Sequence, residues 1–335
     1  MIRIAINGFG RIGRLAFRQI ITATDFDIVA INDLGNAEEL PYLLKYDTVH
    51  RAFHEDLIRY VNNDLIINNV KKVRVFNEMD PENLPWGELN VDLVLECTGK
   101  FKKYPEAHKH IEAGAKKVLL SYPGKGEMKT IVYGVNENTL DGMEEIVSAS
   151  SCTTNCLAPI LNVIHNNFGI EKGFMTTVHA ITNDQVTLDI NHSKGIFARR
   201  GRASSQNIIP TSTGAASSIG LVIPDLKGRM DGISYRVPVP DGSLIDVVLE
   251  LKKDTTVEEL NETLKNNQNE ALKYTKDPVV SSEIIGKRYG ALVDGLLTNM
   301  VEVDGKKLFK IVGWYDNELG YTSQMLRTAR SMFKD

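Results

Sequence analysis

Three glycines, at positions 8, 10 and 13, span the junction between an apolar run at 2–6 and a helical stretch at 11–22. The spacing G-x-G-x-x-G is weak evidence alone, because glycine turns of this kind occur by chance. Its flanks make it specific here. A strand precedes it, a helix follows, and Asp33 stands 20 residues past Gly13, at the end of a second apolar run over 28–31. Gly8 permits the tight turn, Gly10 lets backbone approach a pyrophosphate, and Gly13 lets helix pack closely on strand. The helix start offers unpaired N–H groups and a positive dipole end to phosphate. Asp33 can accept hydrogen bonds from ribose hydroxyls and repels a 2′-phosphate. The segment therefore reads as a dinucleotide site that prefers NAD to NADP.

The alternation around this motif sets the fold class. Apolar strands are expected at 2–6, 28–31, 91–95, 118–120, 131–135 and 146–149, with helices at 11–22 and 104–114. Short apolar runs bounded by polar residues are what buried parallel strands look like. This half reads as a doubly wound, Rossmann-type parallel sheet. Past about Ser150 the strands lengthen, at 173–181, 228–239, 245–251, 292–303 and 308–314, with turn chemistry at Pro240-Asp241-Gly242 and Asp304-Gly305. Helices are expected at 203–221, 257–267 and 317–333. The second half reads as an α+β domain with a mostly antiparallel sheet.

A length of 335 residues suits two domains. With Lys plus Arg at 39 and Asp plus Glu at 43, the net charge is −4, so no global field holds nucleic acid or an anionic membrane. Anions must be caught by local groups. Cys97, Cys152 and Cys156 are too few for a disulfide framework. No metal site is expected: Cys152 and Cys156 are one helical turn apart, and His108 and His110 read as solvated helix residues. With no signal peptide and no apolar run near 18 residues, a reducing cytoplasm is the expected setting.

Ser150-Ser151-Cys152-Thr153-Thr154-Asn155 precedes an apolar helical run, which is an N-cap signature. It puts Cys152 in the first turn, where the helix dipole favours a thiolate. Cys97 and Cys156 read as structural. His179, on the strand Thr176-Thr177-Val178-His179-Ala180, is alone a half-buried histidine. Beside a helix-terminal cysteine it becomes a candidate base. Three segments could hold phosphate: Thr182-Asn183-Asp184-Gln185, Thr211-Ser212-Thr213-Gly214, and Arg236. Each alone is more often a cap, a turn or a surface charge. Arg199-Arg200-Gly201-Arg202 lacks interleaved aromatics and reads as a loop or subunit contact.

Together these motifs resemble the glyceraldehyde-3-phosphate dehydrogenase family over essentially the whole chain. The resemblance is carried by INGFGRIGR at 6–14, Asn32-Asp33-Leu34, Leu84-Pro85-Trp86-Gly87, ASSCTTNCLAP at 149–159, TTVHA at 176–180, SQNIIPTSTGAA at 205–216, YRVPVP at 235–240 and WYDNELGY at 314–321. It implies oxidation of D-glyceraldehyde 3-phosphate to 1,3-bisphosphoglycerate with NAD and inorganic phosphate. Cys152 would form the thiohemiacetal and thioester, with His179 as base. It also implies that Gly8, Gly10, Arg11, Ile12, Gly13, Asp33, Ser121, Asn317 and Tyr321 hold the cofactor. Thr182 and Arg236 would hold the substrate phosphate, and Ser151, Thr153, Thr213 and Gly214 the attacking phosphate. The family assembles as a homotetramer, with an inter-subunit loop here at 184–202. Its last helix packs back on the cofactor domain, giving domains of 1–150 with 317–335, and 151–316.

Departures from the family pattern lie at Met79, Ile190-Asn191, the loop over Ser193–Phe197 and the segment 122–126. They leave dual use of NADP open. The competing enzyme reading is an erythrose-4-phosphate dehydrogenase. The competing non-enzyme reading is a dinucleotide-binding regulator, against which Cys152 and His179 both argue.

Overall fold

The computed structural model describes residues 1–192, 195 and 197–333. The chain forms two compact units: 1–131 with 138–150 and the residues from Met325 on, and 132–137 with 151–324.

The first unit holds strands β1 (Ile2–Asn7), β2 (Phe26–Asn32), β3 (Ile58–Val61), β4 (Asp64–Ile67), β5 (Lys71–Phe76), β6 (Leu93–Glu96), β7 (Lys117–Leu120), β8 (Lys129–Thr130) and β9 (Ile146–Ser148). They make one sheet in the order β3-β4-β5-β2-β1-β6-β7-β9-β8. Every pair from β5 to β8 is parallel. Helices α1 (Arg11–Ile20), α2 (Leu40–Lys45) and α3 (Tyr104–Glu112) cross between strands. The chain leaves β1 toward β2 on one side and returns as β6 on the other. The carboxyl ends at that reversal are where a doubly wound sheet takes its ligand. Phe17 and Ile20 of α1 pack in the core with Ile4, Ile28 and Leu95.

The second unit holds α4 (Cys152–Phe168), β10 (Ile170–His179), β11 (Ile209–Ser212), α5 (Ala215–Val222), β12 (Met230–Arg236), β13 (Ser243–Leu251), α6 (Val257–Asn266), β14 (Leu272–Thr275), α7 (Ser281–Ile284), β15 (Ala291–Asp294), β16 (Asn299–Val303) and β17 (Lys306–Tyr315). Its sheet runs β11-β12-β10-β13-β17-β15-β14, with β16 on β17. Most pairs are antiparallel; β10–β12 and β14–β15 are parallel. Cys156, Leu157, Ile160 and Ile164 of α4 pack on Met175, Ile245 and Val247 of the sheet, with Ile219 of α5 and Leu260 of α6. Phe174, Ile233 and Val248 occupy the other face, 70%, 37% and 38% exposed. The final helix, α8 (Leu319–Ser331), begins in this unit. Its later residues Met325, Leu326 and Ala329, followed by Met332, lie in the first unit's core.

Several local expectations fail for identifiable reasons. The strand expected at 131–135 is a run of turns behind β8, with Val132 N–H tied to Asn136 Oδ1 at 2.9 Å. The helix expected from 203 begins only at Ala215. Before it Ile209–Ser212 pairs with β12 as an edge strand, where Pro210 is tolerated. The expected strand 292–303 is two, split where Asp294 Oδ1 accepts Leu296 N–H at 3.1 Å. The meander β3-β4-β5 was not anticipated. Its turns carry Asn62, Asn63, Asn68 and Asn69 at φ of 52, 62, 54 and 59°, a left-handed pairing that suits tight hairpins. The expectation for 193–197 rests on Ser193, Lys194 and Ile196, which lie outside the described residues. His110 is fully buried beside Glu96 and Trp86, not solvated.

Candidate active site

Ser151 caps α4, its Oγ accepting Thr154 N–H at 3.1 Å. Ser150 before it is buried with φ 61°, in the left-handed region that a serine adopts at a cost of order 1–3 kcal/mol. Cys152 is therefore the first residue of a 17-residue helix. His179 ends β10, and its parallel partner in register on β12 is Arg236. Cap, strand end and register bring three side chains together.

Cys152 Sγ lies 3.4 Å from His179 Nε2. His179 Nδ1 lies 2.7 Å from Ala180 O. With a proton on Nδ1 toward that carbonyl, Nε2 is the acceptor that faces the thiol; Arg236 Nη1 also donates to Ala180 O, at 3.2 Å. Arg236 Nη1 stands 2.9 Å from Nδ1 and donates to Thr182 Oγ1 at 3.0 Å. Burial, reinforced by the Arg236 cation, lowers the His179 imidazolium to about 3, so the ring is neutral. The low thiol value expected from the helix dipole is opposed. Burial raises Cys152, and the Arg236 charge and Thr153 pull it back only in part. Tyr315 braces the pair: its hydroxyl joins Thr153 Oγ1 and Thr177 Oγ1, each at 2.9 Å, and its ring meets His179 edge-on.

Donors gather around this pair. Buried Arg236 Nε, Gln185 Nε2 and Thr211 Oγ1 have no hydrogen-bond partner in the protein. Buried polar groups left so are costly, and an anion would satisfy them. Gln185 also accepts Thr182 N–H at 3.2 Å. Gly214 caps α5, and Thr213 Oγ1 accepts Ala215 N–H at 3.2 Å. Ser151 Oγ, Thr154 Oγ1 and Ser218 Oγ form a chain at 2.8 and 3.2 Å that joins the starts of α4 and α5. Arg200, expected only as a loop or subunit contact, pairs with Asp184 Oδ2, and its charge reaches both Arg236 and His179. A lone arginine pair in sequence carries no signal of this; only the fold of the 182–202 segment supplies it. Asn317 is buried, its Oδ1 accepting from Ser243 Oγ at 2.6 Å, and that same Oγ accepts Ala180 N–H at 3.0 Å. Tyr321 is buried at the start of α8.

The remaining predicted residues belong to the first unit. A cleft of about 640 Å³ is lined by Gly8, Gly10, Asp33, Leu34, Met79 and Thr98 among others. A Cβ on Gly10 would meet nothing within 4 Å, whereas one on Gly13 would lie 2.1 Å from Gly8 O. The open space over Gly10, at the start of α1, fits a dinucleotide pyrophosphate. Asp33 Oδ2 accepts Phe9 N–H at 2.6 Å and Oδ1 accepts Gly35 N–H at 2.8 Å, which fixes the carboxylate with lone pairs left for ribose hydroxyls. The Arg11 guanidinium pairs with Asp47 at 2.6 Å. Ser121 follows β7, its N–H held by Glu96 O at 2.9 Å. Met79 lies in the 78–80 loop at the cleft wall, 76% exposed. No helix among the described residues is long and apolar enough to cross a membrane.

Residues 2–104 match the family model described as glyceraldehyde 3-phosphate dehydrogenase, NAD binding domain. Residues 151–317 match its C-terminal domain model. Proteins named glyceraldehyde-3-phosphate dehydrogenase from Clostridium pasteurianum and Clostridium acetobutylicum are 54% and 53% identical over 328 residues, 98% of this chain and 97% of each relative. One from Streptococcus pyogenes is 48% identical over 329 residues, 98% of this chain and 97% of the relative.

Proposed function

The chain belongs to the glyceraldehyde-3-phosphate dehydrogenase family, and we propose that it oxidises D-glyceraldehyde 3-phosphate to 1,3-bisphosphoglycerate with NAD and inorganic phosphate. It is an NAD-dependent oxidoreductase of glycolysis. The observation that carries the mechanism is the 3.4 Å approach of Cys152 Sγ to His179 Nε2, with Arg236 beside them.

NAD, when bound, supplies the hydride acceptor. Gly8, Gly10, Arg11, Ile12, Gly13, Asp33, Ser121, Asn317 and Tyr321 are the residues that would hold it. Cys152 Sγ bonds to the aldehyde carbon while its proton passes through His179 Nε2 to the carbonyl oxygen, giving the thiohemiacetal. His179 Nε2 takes that hydroxyl proton back as the carbon gives up its hydride and becomes a thioester. A phosphate oxygen attacks the thioester carbonyl, the C–S bond breaks, and the thiolate leaves. The start of α4, with Cys152 as its first residue, offers backbone N–H groups to the charge that develops on the substrate oxygen. Thr182 and Arg236 hold the substrate phosphate; Ser151, Thr153, Thr213 and Gly214 hold the attacking one. Arg200 adds charge there. The first unit is the NAD-binding domain and the second the catalytic domain.

The protein works as a homotetramer in the cytoplasm. The exposed apolar side chains Phe174, Ile233 and Val248, on the face of the second sheet away from α4, support association of copies.

The test is NADH formation from NAD, phosphate and D-glyceraldehyde 3-phosphate, followed by absorbance. No NADH with the wild type, or full activity after Cys152→Ser, overturns the assignment. Faster turnover of erythrose 4-phosphate would move it to that branch. A comparison of NAD with NADP checks the Asp33 reading.

A further inference from the structure

Glu96, at the end of β6, is fully buried. Its carboxylate is surrounded by donors. Oε2 receives Asn7 Nδ2 at 2.5 Å and His110 Nε2 at 3.1 Å. Oε1 receives Thr98 N–H at 2.7 Å, Thr98 Oγ1 at 2.5 Å and Tyr122 OH at 3.1 Å. The histidine's role is fixed from its far side. Trp86 Nε1 donates to His110 Nδ1 at 3.0 Å, so the ring proton is on Nε2 and points at Glu96.

The partners of this carboxylate are the strand ends that build the dinucleotide cleft. Asn7 ends β1, next to Gly8. Asn7 Oδ1 accepts from Asn32 Nδ2 at 2.7 Å, next to Asp33 at the end of β2. Asn32 in turn clamps Glu78, taking its N–H at 2.8 Å and donating to its carbonyl at 2.9 Å. Thr98, gripped twice by Oε1, is the residue Gly8 packs against: a Cβ on Gly8 would lie 2.9 Å from both Thr98 N and Cγ2. Asn7, Gly8, Asn32, Asp33, Glu78 and Thr98 all line the cleft.

We propose that Glu96 is a positioning residue for the cofactor: through Asn7, Thr98 and His110 it sets the spacing of the β1, β2 and β6 ends between which NAD binds. The proposal rests on the NAD reading above. A buried carboxylate is costly unless fully hydrogen-bonded. A core needing only packing would place an apolar side chain here, and this fold instead spends its donors on the three strand ends of one cleft.

The test is Glu96→Gln, which keeps shape and turns one acceptor oxygen into a donor. That oxygen then repels either the Asn7 and His110 donors or the Thr98 and Tyr122 donors. Calorimetric titration with NAD reads affinity on the resting protein. Steady-state kinetics separates KM for NAD from kcat and from KM for the aldehyde. The expected result is a Kd for NAD raised about tenfold or more, with kcat at saturating NAD and the aldehyde KM within about twofold of wild type. Unchanged affinity overturns the proposal, as does an equal fall in every parameter, which is general damage to the fold. If Glu96→Gln does not fold, His110→Leu decides the matter, since it removes one donor and leaves the other four. A rise of about threefold in the NAD Kd supports the role, and wild-type affinity overturns it. If the wild-type protein itself fails to bind NAD, the cofactor reading falls, which is a different outcome from a wild type that binds and a variant that binds equally.

Discussion

His179 presents Nε2 to Cys152 Sγ at 3.4 Å while its other nitrogen, Nδ1, lies 2.7 Å from Ala180 O and 2.9 Å from Arg236 Nη1, so Nε2 is the nitrogen placed to act as base. His179→Asn removes the base. The expected effect is a fall in turnover of about 10²–10⁴. Affinity for NAD, measured by titration, should stay within a few-fold of wild type. A large loss of NAD affinity contradicts the assigned role.

The three thiols should separate by pH. Burial and the Glu96 charge push Cys97 up to about 12, and burial pushes Cys156 well above its usual range. A raised value means the thiol form persists as pH rises, so at pH 8 the Cys97 thiolate fraction is only about 10⁻⁴. Cys152 is raised too, but Arg236 and Thr153 counter the burial. Iodoacetamide at pH 8, followed by peptide mass mapping, should mark Cys152 first and leave the other two. Labelling of Cys97 in Cys152→Ser should be slow and climb roughly tenfold per pH unit. Equal labelling of all three at pH 8 contradicts this.

Gly10 and Gly13 should answer differently to alanine. Gly13→Ala puts a methyl 2.1 Å from Gly8 O, a backbone atom that cannot step aside cheaply. It should cost about 1–3 kcal/mol in a denaturant titration. Gly10→Ala meets no atom within 4 Å and should cost at most about 1 kcal/mol. Its Kd for NAD should nevertheless rise at least about tenfold, because the methyl occupies pyrophosphate space. Normal NAD binding by Gly10→Ala would count against the cleft.

Arg236→Leu removes the guanidinium that reaches Thr182 Oγ1 at 3.0 Å. KM for the phosphorylated aldehyde should rise by more than about tenfold, the scale of a lost charge-assisted contact. KM for unphosphorylated glyceraldehyde should move far less. Equal changes for the two substrates would mean that Arg236 does not hold the phosphate.

Much of this site was legible because its signals are local. The polar run 150–155 announces a helix start, and the structure caps α4 at Ser151 with Cys152 next. The glycine triplet and Asp33 fall within one βαβ unit, and Asp33 carboxylate oxygens do bond the Phe9 and Gly35 amides. What escaped depends on long-range pairing. Arg236 reaches His179 only through the register of two strands 57 residues apart. His110 looked solvated because its partners, Glu96 and Trp86, come from a strand and a loop 14 and 24 residues away. The β3–β5 meander escaped because its alternation runs through Lys and Arg on an exposed face, which dilutes the apolar signal.

Met325, Leu326, Ala329 and Met332 sit in the first unit's core beside strands that begin at Ile2. Synthesis runs from the amino end, so the opening strands leave the ribosome some three hundred residues before the side chains that complete their core. The cofactor-binding unit must wait, unfinished, while the whole catalytic unit is made. A transcript cut short before the codon for Met325 would thus damage a unit whose strands are encoded some three hundred codons earlier.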